Sequence, residues 1–232
     1  MLVGPSTVGK TDLALALARE VTGEIVNADK FYLFSEFPST TGLPDFSRQP
    51  SVRTHLYGIL KPDDPCLSDH EYACRASDVV TEVLAQGKTP IVEGCYYRFA
   101  RALVRLDPVR RWHLIGIRWP EGTDVESLVR ERIDEIFGAR GGVEEVRQAL
   151  AAGYRHTYVM QTGSMVRPLV EYIDGKITLE VAKRKAVAEV VAAAYRAYRR
   201  FLDLPNVEWY EHDRSKRGAL ANQLAEIVRR KS

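Results

Sequence analysis

Cysteine is scarce in this sequence. Cys66, Cys74 and Cys95 are the only three in 232 residues, and none stands in a CxxC pair. That excludes a disulfide framework and argues against a structural zinc site. Long apolar runs are missing too, and nothing approaches the roughly eighteen consecutive apolar residues of a membrane-crossing helix. The opening MLVGPSTVGK has no basic segment leading into an apolar one, so no secretory leader is expected. Neither sign of charge dominates: 33 Lys and Arg stand against 31 Asp and Glu, a net charge of +2. Bulk charge of that size does not imply nucleic-acid binding. The rest is ordinary globular composition, 45% hydrophobic and 28% charged, enough for one sizeable domain in the reduced setting of the cytoplasm.

What is present alternates between strand and helix patterns. Met1 to Val3 is a short apolar strand ended by Gly4. TDLALALARE (11–20) has helical spacing, and EIVNA (24–28) is a second strand. Residues 40–53, rich in Pro, Gly, Ser and Asp, are expected as loop, and 55–60 as a short extended piece. Ser68 followed by Glu71 has capping-box spacing and opens a helix to Ala85. TPIVE (89–93) and WHLIGI (112–117) are further strands. Helices are expected over 124–137, 143–152 and 178–202. A strand at 207–210 and a helix at 218–230 close the chain.

Gly4-Pro5-Ser6-Thr7-Val8-Gly9-Lys10-Thr11 fits G-x-x-x-x-G-K-[ST], after an apolar strand and before a helix. Its glycines let the backbone turn several N–H groups toward one anion, and the helix start adds its positive dipole end. Lys10 supplies a mobile charge, and the Thr11 hydroxyl can ligate Mg²⁺. The motif says phosphate, not ATP. No strand ends in the Asp that usually holds Mg²⁺ in nucleotide hydrolases. By the rule that parallel sheets bind ligands at their strands' carboxyl ends, Gly4, Asp29, Glu93 and Arg118 should ring one crevice. The fold class is therefore α/β: a P-loop parallel sheet with helices on both faces and a helical C-terminal half.

GPSTVGKT, VNADK, HLYGILKPDDP, GKTPIVEG, HLIGIRWP, RIDEIF, YIDGKITLEVA and PNVEWYE, in that order, resemble the isopentenyltransferases. That family moves a dimethylallyl group from its diphosphate to the exocyclic amine of adenine, in tRNA or in free nucleotides. The resemblance implies a site of Gly4, Ser6, Val8, Gly9, Lys10, Thr11 and Gly94 around the donor's diphosphate, with Mg²⁺ on Thr11. It makes Asp29 the general base and Arg132 the clamp on the leaving diphosphate. Tyr195 falls at a diphosphate-binding tyrosine and Tyr198 near the prenyl tail. It also divides a single compact domain into a prenyl-diphosphate core (1–122), a helical acceptor-side part (123–206) and a closing strand and helix (207–232).

The sequence departs from the family in its acceptor half. VEGCYYRFARALV runs through RLDPVRR directly into the next strand, without the helical insertion that embraces the anticodon stem in the tRNA branch. Met160-Gln161-Thr162-Gly163-Ser164 stands near where the nucleotide branch has acceptor-binding acids. The resulting expectation is a dimethylallyltransferase acting on a small nitrogenous acceptor, adenine nucleotide first, with no membrane and no tRNA partner. The alternatives are a tRNA adenine dimethylallyltransferase, transfer to another small aromatic substrate, and a P-loop small-molecule kinase with a lid arginine among Arg140, Arg147 and Arg155.

Overall fold

The computed structural model describes residues 1–47, 50–110 and 112–231. Of the expected loop, Arg48 and Gln49 lie outside the described residues, as does Arg111 of the 107–113 connection. The elements are β1 (Leu2–Val3), α1 (Lys10–Glu20), β2 (Gly23–Asn27), α2 (Pro38–Thr41), β3 (Thr54–His55), α3 (Asp69–Ala85), β4 (Thr89–Gly94), α4 (Tyr97–Leu106) and β5 (Leu114–Arg118). They continue with α5 (Val125–Phe137), α6 (Gly142–Ala151), α7 (Tyr158–Thr162), α8 (Val166–Ile173), α9 (Leu179–Leu202), β6 (Val207–Glu211) and α10 (Arg217–Lys231).

The strands form one parallel sheet in the order β3-β2-β4-β1-β5-β6. β1 is only two residues long, yet it pairs with a neighbour on each side, which fixes where the phosphate loop leaves the sheet. β2 is buried throughout, as expected of a strand covered on both faces. Helix α1 packs against α10 and the β2–β4 side of the sheet, while α3 packs against α4. Helix α9 lies along α5 and α8 and touches α4. Val3 of β1, Ala100 of α4 and Phe201 of α9 form a small apolar cluster of their own.

Local chemistry sets the helix starts. Ser68 and Glu71 make the reciprocal capping box that opens α3. Asp124 caps α5 through Ser127 N, and Thr178 caps α9 through Val181 N. Two expectations shift. The extended piece at 55–60 joins the sheet over Thr54–His55, then Leu56 turns into the left-handed region at φ 62°, and Leu60 pairs again as a single parallel bridge with Phe34. Residues 97–106, expected as passage between strands, form α4. Its Phe99, Ala100 and Leu103 supply a buried face.

Candidate active site

Four connections leave the carboxyl ends of β1, β2, β4 and β6 and converge. The first is the phosphate loop. Gly4 sits where β1 turns out at φ 146°, and a Cβ there would lie 2.2 Å from the Ile117 carbonyl oxygen. Thr7 also adopts a left-handed φ, 66°. That conformation is costly without glycine, and contacts from the far end of the chain accompany it. Arg214 donates from its guanidinium to the Thr7 carbonyl, and His212 Nδ1, 2.8 Å from the Val8 carbonyl, donates there. Lys10, 6% exposed, folds back so that Nζ donates to the Pro5 carbonyl at 2.6 Å.

The second and third connections bring two carboxylates. Asp29, 8% exposed, accepts from the Phe31 amide at 3.0 Å on one oxygen and from the Cys95 thiol at 2.7 Å on the other. Its own amide donates to the Asn27 side chain at 2.7 Å. Burial, and next the Asp29 charge, push the Cys95 thiol well above its ordinary range, which keeps it a donor. Gly94 allows the two connections to touch, since a Cβ there would lie 2.2 Å from the Ala28 carbonyl carbon. Glu93, 1% exposed, accepts from Tyr57 OH at 2.6 Å and Thr11 Oγ1 at 3.0 Å. Burial raises its carboxyl pKa above the usual range, while Lys10, Tyr57 and Thr11 pull the other way.

Between these loops and α5 lies an open cavity of about 570 Å³. Ser6, Gly9, Lys10, Thr11, Asp29, Gly94 and Arg132 all line it. Gly4 and Val8 shape the loop from behind, Val8 being 1% exposed. Arg132 lies on α5 and is held by Glu135 at 2.6 Å. The donor set suits a hard divalent cation. Hydroxyl and carboxylate oxygens meet at Thr11 and Glu93, and no cluster of three or more acidic, His or Cys side chains occurs among the described residues. Mg²⁺ needs no such cage, because it keeps waters and shares phosphate oxygens of its substrate.

Several expected residues lie elsewhere. Tyr195 packs on Trp119 with ring centroids 5.6 Å apart, and Tyr198 stands edge-on to Trp209 at 5.2 Å. Neither lines the cavity; both belong to the contact of α9 with β5 and β6. Arg118 pairs with Glu211 across the β5–β6 register and leaves the crevice. Met160 is buried in the core, Gln161 bonds the Arg155 carbonyl and Thr162 the Tyr158 carbonyl, so this trio forms no acceptor wall. Arg147 and Arg155 are tied to Glu144 and Asp174, while Arg140 does line the cavity. Cys95, Tyr57, Tyr32 and Arg214 escaped the reading of the sequence. Arg214 alone had a legible signal, in EHDR just past the carboxyl end of a strand.

A parallel sheet with a phosphate loop, a buried carboxylate beside it and a cationic wall opposite defines a P-loop protein built around a phosphorylated ligand. No family model matches the chain. It is 39% identical over 148 residues to the tRNA dimethylallyltransferase of Koribacter versatilis, covering 60% of this chain and 48% of that protein. It is 25% identical to the enzyme of that name from Geobacillus kaustophilus over 303 aligned positions, which take in 99% of this chain and 94% of the relative. In structure it matches the tRNA delta(2)-isopentenylpyrophosphate transferase of Staphylococcus epidermidis with a TM-score of 0.87 at 19% identity, over 99% of this chain and 98% of that one. Over nearly its whole length the chain is thus similar to isopentenyltransferases, and it shares their fold. In the first curated relatives it matches, the aligned part spans half of their length or less.

These comparisons correct one expectation. The short connection after α4 and the net charge of +2 argued against a tRNA partner, but relatives that match almost the whole chain are named for tRNA. Net charge is a poor guide because it averages over the surface, and binding depends on where the cations cluster. Among the described residues no helix is long and apolar enough to cross a membrane.

Proposed function

We propose that this protein transfers a dimethylallyl group from its diphosphate to an adenine amine of tRNA, in the cytoplasm. The observation that carries the reading is one cavity walled by Lys10, Thr11, Asp29 and Arg132, in a chain matched over 99% and 91% of its length by proteins named tRNA dimethylallyltransferase. The loop amides, Ser6 and Lys10 hold the donor's diphosphate, and Arg132 holds its far side. Both cations meet charge that grows as the carbon–oxygen bond breaks. Thr11 is the residue to hold Mg²⁺, which when bound would neutralise phosphate charge. Asp29 orients the attacking amine and takes its proton. Its two oxygens are already held by Cys95 and the Phe31 amide, so little reorganisation is left for the reaction itself.

The test is to incubate the protein with radiolabelled dimethylallyl diphosphate and Mg²⁺, against unmodified tRNA, an anticodon stem-loop and AMP. Label in an adenine of the tRNA is the expected result. Label in AMP alone would overturn the acceptor assignment, and no transfer to any acceptor would overturn the activity.

A further inference from the structure

Several cations on the helices around α4 and α9 have an acidic partner. Arg98 pairs with Asp69, Arg167 with Glu189, Lys183 with Asp134 and Lys185 with Glu171. In the first half of α9, Lys183 and Lys185 are thus neutralised, while Arg184 is in none of these pairs. The second half of α9 differs, because residues 190–202 contain no Asp or Glu, and neither do residues 94–106, which hold α4. Arg101 and Arg105 on α4 and Arg196, Arg199 and Arg200 on α9 are exposed. None of the five has an acidic partner among the ion pairs of the described residues.

These arginines share one surface. Ala100 and Phe201 pack in the same apolar cluster, and Tyr97 meets Phe201 edge-on at 5.7 Å. Arg101 follows Ala100 and Arg200 precedes Phe201, so the exposed cations of both helices flank one seam. The surface also starts beside the reaction cavity: α4 begins two residues after Cys95, which donates to Asp29. Uncompensated guanidinium groups along one seam suit a run of phosphates.

Resting on the tRNA reading above, we propose that the α4–α9 face seats the phosphate backbone of the tRNA stem while the target adenine enters beside Asp29. Counterion release makes such binding fall steeply with salt, with a log–log slope of about −0.7 to −0.9 per phosphate contact.

The experiment is a salt titration of anticodon stem-loop binding by fluorescence anisotropy, with the triple variant Arg101→Gln/Arg105→Gln/Arg200→Gln. A control variant, Lys216→Gln/Arg217→Gln/Arg230→Gln, removes equal charge from the α10 side. The first variant should lose about tenfold or more in affinity and flatten the salt slope by about two to three. Its affinity for dimethylallyl diphosphate by calorimetry should stay within about twofold, and the control should bind RNA nearly as the parent does. Equal loss in both variants, or an unchanged slope in the first, would overturn the face while leaving prenyl transfer to tRNA standing. A parent protein that binds the donor but neither binds nor modifies the stem-loop would remove the tRNA reading and this surface with it. Binding of anionic phosphatidylserine vesicles lost in the triple variant, with RNA binding intact, would reassign the face to membranes.

Discussion

Tyr57→Phe tests whether the buried carboxylate beside the phosphate loop is stabilised as described. The substitution removes one oxygen and leaves ring volume and packing almost unchanged. The lost bond is the 2.6 Å donation to Glu93, a carboxylate 1% exposed to solvent. Hydrogen bonds to charged groups contribute about 1.5–3 kcal/mol. Thr11 and Lys10 remain nearby, which favours the lower half of that range, so the expected loss is about 2 kcal/mol. For a domain of this size that corresponds to a fall in Tm of roughly 4–8 °C. The pH dependence carries the sharper test. Burial already raises the Glu93 pKa, and Tyr57 is one of the groups pulling it down. An acid whose folded pKa is raised loses stability as pH climbs from its unfolded to its folded value. Removing Tyr57 raises the folded value further, so the gap between variant and parent should open above the parent's Glu93 pKa and close in acid. Thermal unfolding followed by circular dichroism across pH 4 to 8 reads both quantities. A deficit of constant size across that range would refute the account of Glu93.

Other substitutions probe the remaining parts. Lys10→Ala should weaken dimethylallyl diphosphate binding by about 1.5–3 kcal/mol and slow turnover with it, as read by calorimetry and steady-state rates; unchanged donor affinity would remove Lys10 from the diphosphate site. Asp29→Asn should keep donor affinity and lose about 10²–10⁴-fold in single-turnover rate, since the amide cannot accept a proton; a loss confined to Mg²⁺ or donor affinity would make Asp29 a metal-side residue. Ser68→Ala should cost about 1 kcal/mol through the lost capping box, measured by urea denaturation, with donor binding unaffected.

Much of the fold was legible because its elements carry local signals. The phosphate loop, the Ser68–Glu71 cap and the apolar runs of β2, β4 and β5 are readable within a few residues of themselves. Asp29 was legible for a topological reason, being the acid just past a strand's carboxyl end. Misplaced residues were those judged by position alone. Arg118 ends β5 as expected, but its neighbour β6 offers Glu211 and takes it out of the crevice. Tyr195 and Tyr198 have helical spacing that fits either a site or a packing surface, and the indoles of Trp119 and Trp209 decide for packing. Helix α4 was hidden by its arginines, which mask the apolar stripe of Phe99, Ala100 and Leu103. The 158–173 region carries no long periodic pattern, because Gly163 breaks it into two short helices.

The grip of His212 and Arg214 on the Val8 and Thr7 carbonyls has a consequence for synthesis. The phosphate loop is synthesised about two hundred residues ahead of two of its supports. A nascent chain therefore carries an unfinished anion cradle for most of its elongation. Phosphorylated metabolites would gain a firm hold only when β6 has docked beside β5 and delivered the two side chains.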